Sequence, residues 1–293
     1  MLDAYMEVGK IAGKVRDEFK KKIKEGVSLL EIAEDAENRI IELGAKPAFP
    51  VNISINDVAA HYTPFPNDKK CFKAGDVVKF DIGAHIDGII ADTAVTVEVG
   101  SKRYEKMIEC SEKALENAIN VIRDGVSISK IGEVIEETVK NAGYLPISDL
   151  SGHVISKYRL HTGISIPNIK VKEDTRLKDG NVVAIEPFVT DGSGRVKAEK
   201  EYSIFSLIRD APQRSPSARR LLEFIAKEYG FLPFAERWVY RTFGGRAQLA
   251  LRTLLLNGAI RRYDVLREEK GGIVAQSEHT MIVCDDKAVV TTR

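Results

Sequence analysis

A chain of 293 residues, 44% of them hydrophobic, can bury the core of one large domain or of one domain carrying an insertion, which excludes disorder as its main state. Its net charge of +1 creates no molecule-wide field that would require nucleic acid or an anionic membrane as partner. No apolar run reaches the roughly 18 residues of a membrane span, and the first turns, with Asp3, Glu7 and Lys10, lack a signal-peptide core, so the expected location is cytoplasmic with no membrane partner.

Along the chain, the first helical pattern leads into Ile23-Lys-Glu-Gly-Val-Ser-Leu29, which reappears as Ile122-Arg-Asp-Gly-Val-Ser-Ile128, shifted by 99 positions. Each copy reads as an amphipathic helix, a Gly turn, Ser28 or Ser127 as N-cap, and a second helix ended by Gly44 or Gly143 with a proline beyond. A second echo sets Lys73-Ala-Gly-Asp-Val-Val-Lys-Phe-Asp81 against Lys178-Asp-Gly-Asn-Val-Val-Ala-Ile-Glu186, shifted by 105, so the second half carries the longer loop. A helix pair followed by strands, twice, predicts two pseudo-symmetric α+β halves with a site between them.

Within the first half, Val77–Ile86 and Ile89–Val97 read as a hairpin closed by Asp87-Gly88. A two-residue loop there sets Gly83 opposite Asp92 and Asp81 opposite Ala94. Asp81 and Asp92 become diagonal neighbours on one face, about 7–8 Å apart, close enough for their side chains to converge. Glu186, in Val182-Val-Ala-Ile-Glu-Pro187, and Glu278, in Ile273-Val-Ala-Gln-Ser-Glu-His-Thr-Met-Ile282, occupy similarly apolar strands. Carboxylates so placed repel one another and resist desolvation unless a cation or a shared proton neutralises them, and four of them point to metal.

Of the five histidines, His153 and His161 sit among small residues that leave room for a ligand or substrate. One imidazole with four carboxylates forms a mainly hard-oxygen site, suited to Mn²⁺, Fe²⁺ or Co²⁺ at least as well as to Zn²⁺. Cys71, Cys110 and Cys284 are odd in number and widely spaced, without CxxC, which argues for reduced thiols over a disulfide framework or a thiolate zinc site.

From 208 to 267 the texture changes to helical runs such as Ala218–Tyr229 and Arg246–Asn257, broken by Gly230, Pro233, Gly244 and Gly258, before Gly272–Val283 resumes the sheet. The expected division is therefore 1–207 with 268–293 as one domain and 208–267 as a helical insertion. This segment holds twelve Arg and Lys against five Asp and Glu. Its charges, Arg219, Arg220, Arg261 and Arg262 among them, are expected to face solvent, with a ribosomal or RNA contact as the weaker alternative.

In order and local context, Asp81, Asp92, His153, Glu186 and Glu278 resemble the five-ligand signature of methionine aminopeptidases with the pita-bread fold. Pro47-Ala-Phe-Pro50, Ala59-Ala-His-Tyr-Thr-Pro64 and Gln276-Ser-Glu-His-Thr280 match as well, and the resemblance spans nearly the whole chain. It departs at Ser277, where an aromatic residue is expected, and at Lys197, where some members have His. The insertion resembles the winged-helix-like mark of the type II class, and the chain starts at the catalytic region as archaeal members do.

The resemblance implies two divalent ions (Co²⁺, Mn²⁺, Fe²⁺ or Zn²⁺), with Asp81 on one, His153 and Glu186 on the other, and Asp92 and Glu278 bridging. It implies an activated water as nucleophile, Glu186 as proton acceptor, His161 and His61 as catalytic groups on the substrate side, and Phe49 and Tyr263 around the methionine side chain. The implied substrates are N-terminal Met peptides and nascent proteins, acted on by a monomer. His85 and His279 are read as structural or supporting. Xaa-Pro dipeptidases share the fold and ligands but normally carry a further N-terminal domain, and a silent relative that binds protein or RNA would have lost ligands.

Overall fold

The computed structural model describes residues 2–173 and 175–293. Its first half runs α1 (Leu2–Phe19), α2 (Leu29–Glu42), β1 (Lys46–Pro47), β2 (Asn52–Ile55), β3 (Val58–Ala60), then the long hairpin β4 (Val77–Ile86) and β5 (Ile89–Glu98). The second half repeats that plan with α3 (Glu105–Val121), α4 (Ile128–Asn141), β6 (Leu145–Pro146), β7 (Ser151–Ile155), β8 (Ser165–Pro167), β9 (Val182–Ile185) and β10 (Phe188–Thr190).

The sequence echo is a structural one. Ser28 Oγ accepts from the Glu31 N–H at 3.4 Å and Ser127 Oγ from the Lys130 N–H at 3.2 Å, each filling an orphan donor at a helix start. Gly44 and Gly143, with φ of 88° and 84°, end the same two helices in the left-handed conformation that costs glycine least. Even the loop bonds repeat: Gly26 donates to the Phe72 carbonyl at 2.9 Å, and Gly125 to the Leu177 carbonyl at 2.8 Å.

After β11 (Val196–Leu207) come α5 (Pro216–Glu228), β12 (Phe234–Ala235), α6 (Glu236–Phe243), α7 (Arg246–Leu256) and β13 (Ile260–Glu268), then β14 (Val274–Gln276), β15 (Glu278–Val283) and β16 (Ala288–Val290). The main antiparallel sheet has the order β1-β4-β5-β15-β9-β7-β8, with β2 also on β4 and β16 on β15. Strand β15, near the end of the chain, thus joins the halves, pairing with β5 on one side and β9 on the other.

Each half packs its helix pair on this sheet around its own core, Phe19, Ile40, Phe80 and Ile82 in one and Leu115, Ile135, Val183 and Met281 in the other. Each such side chain contributes about 1.5–3 kcal/mol by leaving water. The helix α1 also lies directly on the C-terminal segment. A Cβ at Gly9 would stand 2.1 Å from the Thr291 carbonyl oxygen, so only glycine permits the approach.

The segment 208–267 is not helical throughout. Its three helices enclose a third core that includes Leu221, Ile225, Phe234 and Leu254. Residues from Ile260 onward, however, form β13, which pairs with β11 from Leu207↔Ile260 to Val196↔Glu268 and then with β3 of the first half. Exposed Arg261 and Arg262 hide the strand pattern in the sequence, because only Ile260 and Val265 of its first six residues are buried. Helix α6 was also not anticipated. The three cysteines are free, as expected, and no helix among the described residues is long and apolar enough to cross a membrane.

Candidate metal centre

Asp87 and Gly88, with φ of 48° and 83°, form the tight turn that fixes the hairpin register. Gly83 stands opposite Asp92 and Asp81 opposite Ala94, as the two-residue loop requires. Across the seam β15 sets Glu278 opposite Ala94, and β7 sets His153 opposite Ala184, two positions before Glu186. Register alone therefore carries four carboxylates and an imidazole from both halves to one face of one sheet.

There they line a single cavity: Asp81, Asp92, His153, Glu186 and Glu278, together with Phe49, His61, His161 and Tyr263. Ligand atoms of Asp92, His153 and Glu278 all lie within 4.8 Å of one another. His153 Nε2 is 3.5 Å from Asp92 Oδ2 and 3.6 Å from Glu186 Oε1, too long for good hydrogen bonds and suited to donors that surround a common ion. Asp81 Oδ1 and Asp92 Oδ1 are buried without any partner.

Electrostatics point the same way. Burial, then the Asp92 charge, pushes Asp81 far above the usual carboxylate range. Asp92 is pushed up to about 8, chiefly by burial, and Glu186 and Glu278 are driven well upward by burial and then by their fellow carboxylates. Burial pushes His153 down to about 4, so its imidazole is neutral and its lone pair free. Such a set is costly when fully ionised and is relieved by divalent cations, and its oxygen-rich donors fit such ions.

The substrate-side residues are held separately. His61 has the left-handed φ of 65°, a strained conformation for a non-glycine residue, and its Nδ1 lies 3.2 Å from the Asp264 carbonyl. That contact assigns the proton to Nδ1 and leaves the Nε2 lone pair free. Tyr263 packs edge-on against His61 at 5.5 Å between ring centroids, and His161 lies 4.4 Å from His153 and 6.5 Å from Tyr263. One side of His161 is open to the cavity mouth, while crowding protein on the rest lowers its proton affinity, helped by His153, His61 and Arg261.

The sequence reading missed Asn52 as a lining residue. It faces Asp81 in register, its Nδ2 donates to the Pro50 carbonyl at 2.9 Å, and its buried Oδ1 has no partner. An amide in the otherwise apolar Val51-Asn-Ile53 was the available signal. Gln276, read only as a motif neighbour, donates to Glu186 Oε2 at 3.2 Å and orients that carboxylate.

Both departures from the family pattern lie outside the cavity. Ser277 bonds Ser111 on α3 at 2.8 Å, and Lys197 is exposed opposite Arg267. His279 points to the far face, bonding Thr292 Oγ1 at 2.8 Å, and His85 accepts from the Gly88 N–H at 3.3 Å, and neither lines the metal cavity. Of the four arginines expected to face solvent, all are exposed, but Arg261 donates to the Tyr263 hydroxyl at 2.9 Å and so stands at the cavity mouth.

The model of metallopeptidase family M24 matches residues 3–206. A methionine aminopeptidase of Pyrococcus abyssi is 53% identical over 293 residues, covering 99% of either chain, and one of Methanocaldococcus jannaschii is 50% identical over 288 residues, covering 98% of this chain and 97% of that one. Among solved structures, a methionine aminopeptidase of Thermotoga maritima matches with a TM-score of 0.73 at 24% identity, covering 99% and 96% of the two chains. A thermophilic Arx1 matches with a TM-score of 0.87 at 17% identity, covering 99% and 90%. At those identities the structural matches speak for the fold alone.

Proposed function

Because the chain belongs to metallopeptidase family M24 and, within it, to the methionine aminopeptidases, we propose that it removes the initiator methionine from nascent proteins with two divalent ions held by Asp81, Asp92, His153, Glu186 and Glu278. The observation that carries this reading is convergence: five candidate ligands from both halves and four candidate substrate residues line one cavity. Asp92 lies between Asp81, which its charge perturbs, and His153 Nε2 at 3.5 Å, as suits a ligand shared by two ions. Two such ions would lower the pKa of a bound water and polarise the scissile carbonyl.

The chain's own groups do the rest. Glu186, steadied by Gln276, accepts the proton of the attacking water. Neutral His161 donates a hydrogen bond that strengthens as the carbonyl oxygen gains charge. Phe49 and Tyr263 wall the methionine side chain, and His61, fixed by the Asp264 carbonyl, contacts the substrate with Nε2. The division into 1–207 with 268–293 as one domain and 208–267 as an insertion belongs to this proposal, and the helices α5, α6 and α7 within 208–267 support it. A cytoplasmic monomer fits these substrates.

The deciding assay strips the metal, reloads with Mn²⁺, Fe²⁺, Co²⁺ or Zn²⁺, and offers Met-Ala-Ser, Leu-Ala-Ser and Ala-Pro peptides. Preferential release of methionine with two ions bound supports the reading, whereas preference for Ala-Pro would replace it with a dipeptidase.

Two variants probe the substrate side. His161→Ala is expected to lose roughly a hundredfold or more in turnover, a few kcal/mol of barrier, and His61→Ala somewhat less, with both retaining bound metal. Metal loss in step with activity would make them ligands instead. Gly83→Ala tests the pocket wall: its Cβ would stand 2.1 Å from Phe49 Cε1, so the ring must move. A change of one carbon's size in a hydrophobic pocket is worth about 1–3 kcal/mol of transition-state binding, so kcat/KM for Met-Ala-Ser should fall by roughly tenfold or more, while an unchanged value would remove Phe49 from the pocket.

A further inference from the structure

A second cavity, of about 380 Å³, opens beside the metal cavity and shares Leu160, His161, Pro233 and Tyr263 with it. Its remaining lining includes Arg159, Phe231 and Arg261, and no Asp or Glu among the described residues lines it. Arg261 is fixed: its Nε donates to Ser206 Oγ at 2.9 Å, its Nη2 to the Tyr263 hydroxyl at 2.9 Å, and its guanidinium lies 5.1 Å from the Tyr263 ring centre. Arg159 lies over Phe231 at 5.6 Å. Among the described residues neither guanidinium has a carboxylate within ion-pair distance, whereas Arg262, next along β13, pairs with Asp264 at 2.8 Å.

Two guanidiniums without a carboxylate partner among the described residues, Arg261 held by Ser206 and Tyr263 and Arg159 exposed beside Phe231, in a cavity that continues the active site favour an anion arriving along the substrate path. We propose that Arg159 and Arg261 form a carboxylate-binding subsite for the part of the peptide downstream of the cleaved bond, a proposal that rests on the aminopeptidase reading above. With the methionine held in the metal cavity, the rest of the peptide leaves by the shared mouth. An extended chain advances about 3.3–3.6 Å per residue, so a residue a few places after the cut reaches the arginines. The carboxylate is either the C-terminus of a short peptide or an Asp or Glu side chain of a longer one. Planar guanidiniums suit either source.

The test uses the metal-loaded enzyme and compares kcat/KM for Met-Ala-Ser as free acid and as amide, and for Met-Ala-Ser-Asp-amide against Met-Ala-Ser-Lys-amide. Exposed charge pairs contribute about 0.2–1 kcal/mol each, so the wild type should prefer the acidic member of at least one pair by roughly three- to tenfold. The preference should appear in KM and shrink at high salt. Preference in the first pair assigns the terminal carboxylate, and in the second pair the side chain. Arg159→Gln, which leaves the Tyr263 contact intact, should reduce the preference, and Arg159→Gln with Arg261→Gln should bring the ratio to about one. Equal rates within both pairs for the wild type, or a preference that survives the double substitution, overturns the subsite. Methionine release from Met-Ala-Ser-amide keeps the aminopeptidase reading standing in that event, and its absence with every peptide removes both.

Discussion

Replacing Asp92 with alanine is expected to leave a folded protein that binds metal weakly and has lost activity by on the order of a thousandfold or more. Asp92 stands at the middle of the donor set, near His153 Nε2 and within ligand distance of Glu278, with Asp81 as its diagonal neighbour across the hairpin. Its removal takes a ligand from both proposed ions, and the several kcal/mol of transition-state stabilisation that such ions supply corresponds to that rate loss. Apo stability should stay level or rise, because one of four crowded, mutually repelling carboxylates is gone. Calorimetric metal titration, thermal melting of the apo form and tripeptide turnover would be read together. Native stoichiometry accompanied by native turnover would end the bridging assignment.

The largest expected loss of stability lies at the junction between the insertion and the first half. Glu37 on α2 and Arg237 on α6 form an ion pair in which both side chains are almost wholly buried. Glu37 also accepts from Trp238 Nε1 at 2.8 Å and from the Val51 N–H at 3.1 Å, and Arg237 donates to Thr63 Oγ1 at 2.6 Å. Removing one partner strands the other charge without water, so Glu37→Ala or Arg237→Met should each cost about 3–5 kcal/mol. Glu37→Leu combined with Arg237→Met should recover much of that, since an apolar pair of similar volume leaves no orphan charge. Denaturant melts of the three variants decide the matter, and single-variant losses below 1 kcal/mol would show that solvent reaches the pair.

How legible these features were depends on how local their causes are. The hairpin register could be read because two adjacent residues that tolerate positive φ determine it, and the register then placed Asp81 and Asp92. The remaining ligands could be read because a carboxylate in an apolar strand is conspicuous by its desolvation cost. Strand β13 could not, because its exposed arginines mask the alternation and its partner β11 is needed to reveal it. Nor could Glu37 with Arg237: the two lie 200 positions apart, and each reads alone as a surface charge on a helix. Asn52 was overlooked because a single amide in a short strand is unremarkable until Asp81 is seen opposite it.

The position of β15 bears on how the protein comes into being during its own synthesis. The strand that carries Glu278 lies between the two halves, yet it follows every other strand of the main sheet except β16 in the chain, and the segment after it is the one that α1 packs against. Until that strand has been released and inserted between β5 and β9, the β5 and β9 edges that will receive it are unpaired and the donor set is incomplete. Each half can gather its helices and strands as it emerges, but the candidate donor set is complete only with the closing strand. A newly made chain therefore cannot assemble its full donor set until the strand carrying Glu278 has been made and inserted.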